Sequence, residues 1–204
     1  ENWQTIMNNH PKVLEAEKQS FADKERIACL QELASAPLSV LIGGAGTGKT
    51  TLIKDLCISP EINNGGVLVL APTGKARVRI AEKLKKDPNN PNEPTIKYEA
   101  KTVAQFLAQN KRFDWYTMSY RMTGCPAENV PQTVVIDECS MMTEEMMGSV
   151  LEAVKNTSRV ILVGDLNQLP PIGAGRPFVD LVNYLSNDLP PKNEPQVKKG
   201  YCEL

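Results

Sequence analysis

The eight residues Gly43-Gly44-Ala45-Gly46-Thr47-Gly48-Lys49-Thr50 combine four glycines with a lysine and two hydroxyls. Glycine lets a backbone curl around an anion without Cβ clashes, and N–H groups gathered at a helix N-terminus supply positive potential. In that setting Lys49 is a point charge for the β and γ phosphates of a nucleotide. The Thr50 hydroxyl is a ligand for Mg²⁺, with Thr51 following on the same helical turn. The pattern G-x-x-x-x-G-K-[ST] points to ATP or a related triphosphate with Mg²⁺; a Gly-rich turn that holds nothing is the plainer alternative.

Two other segments carry complementary groups. An apolar run over 134–136 ends in the paired acids Asp137-Glu138. Adjacent acids are common on surfaces but seldom follow a fully apolar run. Asp137 is read as holding Mg²⁺, usually through water, and Glu138 as polarising an attacking water. Gly164-Asp165-Leu166-Asn167-Gln168-Leu169-Pro170-Pro171 follows a further apolar run. Its neutral amide, Gln168, is a candidate sensor that bonds a γ-phosphate and loses the bond on hydrolysis, although a Pro-stiffened turn with an incidental Gln explains the segment equally well in isolation. Lys49, Asp137, Glu138 and Gln168 are therefore the catalytic candidates, and Glu138 favours hydrolysis over binding alone.

These groups need a scaffold. Residues 38–42, 67–71, 134–136 and 160–163 are nearly unbroken apolar runs, as expected of parallel strands covered on both faces. Helices are predicted over 49–56, 74–85, 103–109, 144–155 and 177–185, and over 12–35 with a break near Ser20 to Asp23. The alternation gives an α/β domain, a parallel sheet flanked by helices. The strand before the Gly-rich loop should lie beside the one ending at Gly164, with the Asp137 strand one further out. That order gathers Thr50, Asp137, Glu138 and Gln168 in one crevice at the carboxyl ends of the strands. Residues 87–94, rich in Pro and Asn, form a surface loop. Residues 110–132 read as an irregular insertion in which Trp115, Tyr116 and Tyr120 lie near Arg112 and Arg121. Such a mixture can stack bases, but it more often anchors an insertion to the body.

The 204 residues fit one domain, with 1–35 as a helical lead-in and 186–204 as a loop starting the link to a further unit. No apolar run approaches the roughly 18 residues of a membrane span, so no membrane partner is expected. Cys29, Cys57, Cys125, Cys139 and Cys202 form no C-x-x-C pair, and His10 is the single histidine. That argues against zinc and against a disulfide framework, and favours a cytoplasmic location. The net charge of -1 conceals an asymmetry: Lys75 to Lys86 holds six Lys or Arg and one Glu, whereas Met122 to Val154 holds six acids and no base. A solvated helix face is the ordinary reading of such a run. The start, Glu1-Asn2-Trp3-Gln4, has no initiator Met or signal-peptide pattern, as expected of a piece of a longer chain.

Taken together, the segments resemble a known family. Ala71-Pro72-Thr73-Gly74-Lys75-Ala76, Asp137-Glu138-Cys139-Ser140-Met141 and Gly164-Asp165-x-x-Gln168-Leu169-Pro170 resemble motifs Ia, II and III of RecD-like and TraA-like helicases of superfamily 1. Lys101-Thr102-Val103-Ala104-Gln105-Phe106-Leu107 resembles the family's T-x-H segment, with Ala104 where a His is usual. The resemblance runs from about residue 24 to 181 and implies a first RecA-like motor domain of P-loop type. It implies ATP hydrolysis with Mg²⁺, 5′-to-3′ movement on single-stranded DNA, and an exonuclease V alpha-like role with exonuclease-complex subunits as partners. It assigns Thr73, Lys75 and Thr102 to the nucleic-acid backbone, in keeping with the basic stretch; such contacts are sequence-blind and salt-sensitive.

The resemblance further implies a second RecA-like domain of the same parent chain, supplying arginines across the ATP. Arg176 is the one arginine after Gln168 and is expected to face that partner. Glu25 and Arg26 stand about where the family carries a Gln that reads adenine. A superfamily 1 RNA helicase and a nucleotide-binding regulatory module without turnover remain open. A small-molecule kinase would have no use for Thr73-Gly74-Lys75 or Gln168-Leu169-Pro170.

Overall fold

In the computed structural model, which describes residues 21–204, the unbroken apolar runs become the middle of one sheet. The chain begins with α1 (Phe21–Ser35), β1 (Leu38–Ile42), α2 (Lys49–Ile58), α3 (Pro60–Asn64), β2 (Val67–Ala71) and α4 (Gly74–Leu84). It continues through β3 (Tyr98–Thr102), α5 (Val103–Gln109), β4 (Phe113–Asp114), β5 (Ser119–Tyr120) and β6 (Thr133–Ile136). A 3-10 turn (Cys139–Met141), α6 (Glu144–Ala153), β7 (Arg159–Gly164), α7 (Pro177–Leu185), β8 (Val197–Lys198) and β9 (Tyr201–Glu203) complete it.

The sheet runs β3-β2-β6-β7-β1-β9-β8. All pairs are parallel except β8 with β9. β1 lies beside β7 and β6 is one further out, the order expected. Ile42 is level with Gly164, and Ile136 with Leu162. The Gly-rich loop, Asp137 and the segment after Gly164 therefore leave the same edge of the sheet.

Burial explains why these strands show no alternation. On one face Leu41, Val69, Val135 and Ile161 pack against Leu30 and Leu33 of α1, Leu52 and Leu56 of α2 and Ile80 of α4. On the other, Val40, Leu70, Val134, Ile136 and Leu162 pack against Phe106, Val150, Phe178 and Val182 from α5, α6 and α7. With helices on both sides neither face can be polar, which is the general condition of a parallel sheet. Among the described residues no helix is long and apolar enough to cross a membrane.

Four expectations need correction. β3, Tyr-Glu-Ala-Lys-Thr, reads as no strand at all, because it is an edge strand whose side chains are mostly part exposed, with a Glu99–Lys101 ion pair at 2.7 Å. The stretch 186–204, read as a loop leading to a further unit, contains β8 and β9, with β8 turning back on β9 beside β1. Phe21 to Asp23, part of the expected break at Ser20 to Asp23, are the first residues of α1; Ser20 and the part of the 12–35 prediction before it lie outside the described residues. The insertion at 110–132 is organised around a short β4–β5 hairpin. Arg112 is buried there and donates to the carbonyls of Met122 (2.8 Å), Gly124 (3.0 Å) and Cys125 (2.9 Å). Phe113 packs on Trp115 and Tyr120 with ring centroids 4.9 and 4.8 Å away, so Arg112 and Phe113 anchor the insertion while Tyr116 stands fully exposed.

Candidate nucleotide site and adjoining basic groove

Gly48 caps α2 with φ 99°, a left-handed conformation that strains any side chain but glycine's, and Lys49 opens the helix behind it. The Lys49 ammonium donates to the carbonyls of Gly43 at 2.6 Å and Gly44 at 2.8 Å. The Thr47 hydroxyl donates to Gly44 at 3.1 Å. The lysine is thereby held over the loop, next to the N–H groups at the start of α2.

Asp137 and Glu138 divide their surroundings between them. Asp137 is buried; its Oδ1 accepts the Glu138 N–H at 3.0 Å, and its Oδ2 has no hydrogen-bond partner. Burial first, then the charge of Glu138, raises the Asp137 carboxyl above the usual carboxylate range, against the pull of the Glu138 N–H, Arg79 and Lys49. A buried carboxylate oxygen without a donor is costly unless a cation answers it. Glu138 has φ 56°, rare for a residue with a long side chain, and caps the 3-10 turn. Its carboxylate pairs with the guanidinium of Arg79 on α4.

Gln168 is held from two sides. Ser140 Oγ donates to Gln168 Oε1 at 2.9 Å. Asp165 winds the turn by accepting the Asn167 N–H on its side chain at 2.9 Å and the Gln168 N–H on its carbonyl at 3.2 Å. Gly164 permits this turn to sit close under α7, since a Cβ there would lie 2.5 Å from the Phe178 ring.

Ala45, Gly46, Gly48, Lys49, Thr50 and Thr51 line a crevice of about 310 Å³ with Asp137, Glu138 and Gln168, as the motifs required; Arg79 and Lys83 join them. A groove of about 370 Å³ continues from it, lined by Thr73, Lys75, Ala76, Met141 and the shared residues Arg79, Glu138 and Gln168. The Thr73 hydroxyl caps α4 by accepting the Ala76 N–H at 3.2 Å. Thr102 does not line this groove. It stands level with Ala71 on the neighbouring strand and forms a capping box with Gln105, at 3.2 and 3.0 Å.

Sequence reasoning missed Arg79 and Ser140. Arg79 was legible, because Lys75, Arg79 and Lys83 recur every four residues and so share a helix face. Ser140 carried no signal, since only the fold brings it to Gln168. Arg26 lies beside the loop, 2.7 Å from Asp55 and 3.3 Å from where a Cβ on Gly48 would be. Burial and the charge of Glu203 raise the Glu25 carboxyl. Arg176 does not line the nucleotide crevice; it lines a small neighbouring pocket of about 40 Å³ with Ser140, Asp165 and Gln168, the last shared with the crevice.

The profile of the AAA domain family matches residues 22–189. The chain is 35% identical over 159 residues to the ATP-dependent RecD2 DNA helicase of Deinococcus radiodurans, covering 78% of this chain and 19% of that one. It is 30% identical over 175 residues to the RecBCD enzyme subunit RecD of Mycolicibacterium smegmatis, covering 80% of this chain and 31% of that one. It thus spans less than a third of either relative. Among solved structures, the Pif1 helicase from Candida albicans superimposes with a TM-score of 0.51 at 20% identity, over 88% of this chain and 39% of that one. At that identity the likeness concerns the fold, a parallel sheet flanked by helices. The chain belongs to the AAA domain family, with a RecA-like P-loop fold, and over that domain it is similar to the RecD and RecD2 helicases.

Proposed function

We propose that this chain is the ATP-binding and ATP-hydrolysing motor domain of a 5′-to-3′ DNA helicase working on single-stranded DNA. The observation that carries the reading is that the phosphate crevice and the basic groove share one wall, formed by Arg79, Glu138 and Gln168. The N–H groups of Gly43 to Thr51 and the Lys49 ammonium hold the phosphates of ATP. The Thr50 hydroxyl and the unpartnered Oδ2 of Asp137 fit Mg²⁺, a hard cation that takes oxygen ligands. Held there with ATP, Mg²⁺ would offset negative charge on the phosphates. Glu138 orients and polarises the attacking water and accepts its proton. Gln168, held by Ser140, senses the γ-phosphate.

Thr73, Lys75 and Thr102 hold the strand by its phosphates; Thr73 and Thr102 are tied as caps through their hydroxyl oxygens, which leaves each hydroxyl proton to donate. A second RecA-like domain supplies the arginines that complete catalysis, with Arg176 turned toward it. The names of the RecD2 and RecBCD relatives support DNA as substrate, and the second of them supports partners within an exonuclease complex. The test is ATPase of the full-length protein with oligo(dT) and with oligo(U) of equal length. Stronger stimulation by oligo(dT) is expected. Stronger stimulation by oligo(U) would make it an RNA motor, and no stimulation by either would return it to a nucleotide-binding module.

A further inference from the structure

We infer that Arg79 is a brake on Glu138, released when a single-stranded nucleic acid occupies the basic groove. The inference rests on the function proposed above, and concerns how strand binding is coupled to hydrolysis.

Arg79 and Glu138 form an ion pair that spans from α4 to the end of β6. The two partners are held very differently. The Glu138 side chain is 12% exposed and its backbone is fixed at the head of the 3-10 turn, whereas the Arg79 side chain is 60% exposed. Among the described residues Glu138 is the one ion-pair partner of Arg79. The arginine is therefore the partner that can leave. While it stays, it occupies a carboxylate oxygen that would otherwise accept from water, so Glu138 is not free to position the attacking water.

Both residues line both cavities. Lys75 lies one helical turn before Arg79 and lines the same groove. A phosphodiester seated there offers the guanidinium a bidentate acceptor, a geometry that suits arginine better than the single oxygen it now holds. Transfer of Arg79 from Glu138 to the strand frees the carboxylate for water at the moment the strand is bound. Hydrolysis without a strand is held down by the same contact.

A nucleotide phosphate is the other anion within the reach of Arg79, and the experiment separates the two. Steady-state ATPase is measured on the full-length protein, with and without saturating oligo(dT), for wild type, Arg79→Ala and Arg79→Lys. An ion pair with one exposed partner is worth little, so Arg79→Ala should raise the rate without oligo(dT) by about 2- to 5-fold. Its KM for ATP and its stimulated rate should stay within about twofold of wild type, so the stimulation ratio collapses. Arg79→Lys, which keeps the charge without the fork, should restore part of the ratio. A raised KM with both rates lowered would assign Arg79 to the nucleotide phosphate and overturn the brake. An unchanged ratio would overturn it as well. Wild-type protein that oligo(dT) does not stimulate would remove the functional reading itself, and the brake with it.

Discussion

The nucleotide crevice and the basic groove share a wall, yet they are built in opposite ways. The crevice lies at the ends of β1, β6 and β7, strands buried on both faces, with the Gly-rich loop, Lys49, Asp137 and Gln168 fixed by the turns that follow them. The groove runs along the start of α4, whose exposed Lys75 and Arg79 give it its positive charge, with Thr73, Ala76 and Met141 beside them. Transferring a phosphoryl group needs atoms held to fractions of an ångström, which a rigid sheet supplies. Gripping a flexible polyanion needs charge more than position. Glu138, which follows β6, is paired with Arg79 of α4 where the two regions meet.

The largest effect lies on the side of the crevice that faces away from this sheet. Arginines supplied from outside a P-loop domain are worth about 10³ to 10⁵ in rate. Residues 1–204 alone should bind ATP but hydrolyse it at least about 10³-fold more slowly than the full-length protein with saturating oligo(dT). Comparable rates would mean that the crevice is complete as it stands. Within the domain, Leu162 of β7 is fully buried at the centre of the sheet, and Leu162→Ala should cost about 2–5 kcal/mol in urea unfolding. A loss well below about 1 kcal/mol would show that the scaffold yields, and the contrast with the groove would fade.

The smallest effect belongs to the groove. Lys75→Ala should leave the unfolding midpoint in place. It should weaken single-strand binding across sequences alike and lower the slope of log K against log salt by about 1. An unaltered slope would return the basic stretch to a solvated helix face.

What could be read from the sequence follows the same division. Leu38–Ile42 and the runs ending at Asp137 and Gly164 were legible because burial on both faces writes an unbroken apolar signature. From those runs the strand order and the crevice followed. β3 was illegible because an edge strand can carry Glu99 and Lys101 at little cost. The helix predicted over 103–109 coincides with α5, whose start Thr102 and Gln105 cap reciprocally. The hairpin at 113–120 was not, for its organiser is a buried arginine satisfied by carbonyls distant in sequence. In the site, Lys49, Thr50, Asp137, Glu138 and Gln168 could be named as candidates from their own residue types, whereas Arg79 and Ser140 meet Glu138 and Gln168 across 59 and 28 residues.

The central claim is that Glu138 does chemistry in a crevice whose phosphate grip is independent of it. The measurement is MgATP affinity and turnover of Glu138→Gln beside Lys49→Ala and wild type, in the full-length protein with saturating oligo(dT). Glu138→Gln should bind MgATP within about threefold of wild type and lose about 10²- to 10⁴-fold in turnover. Lys49→Ala, which removes a charge from the phosphates, should lose both. Equal loss of binding in the two variants would contradict the account, and Glu138 would be a structural residue at the mouth of the site.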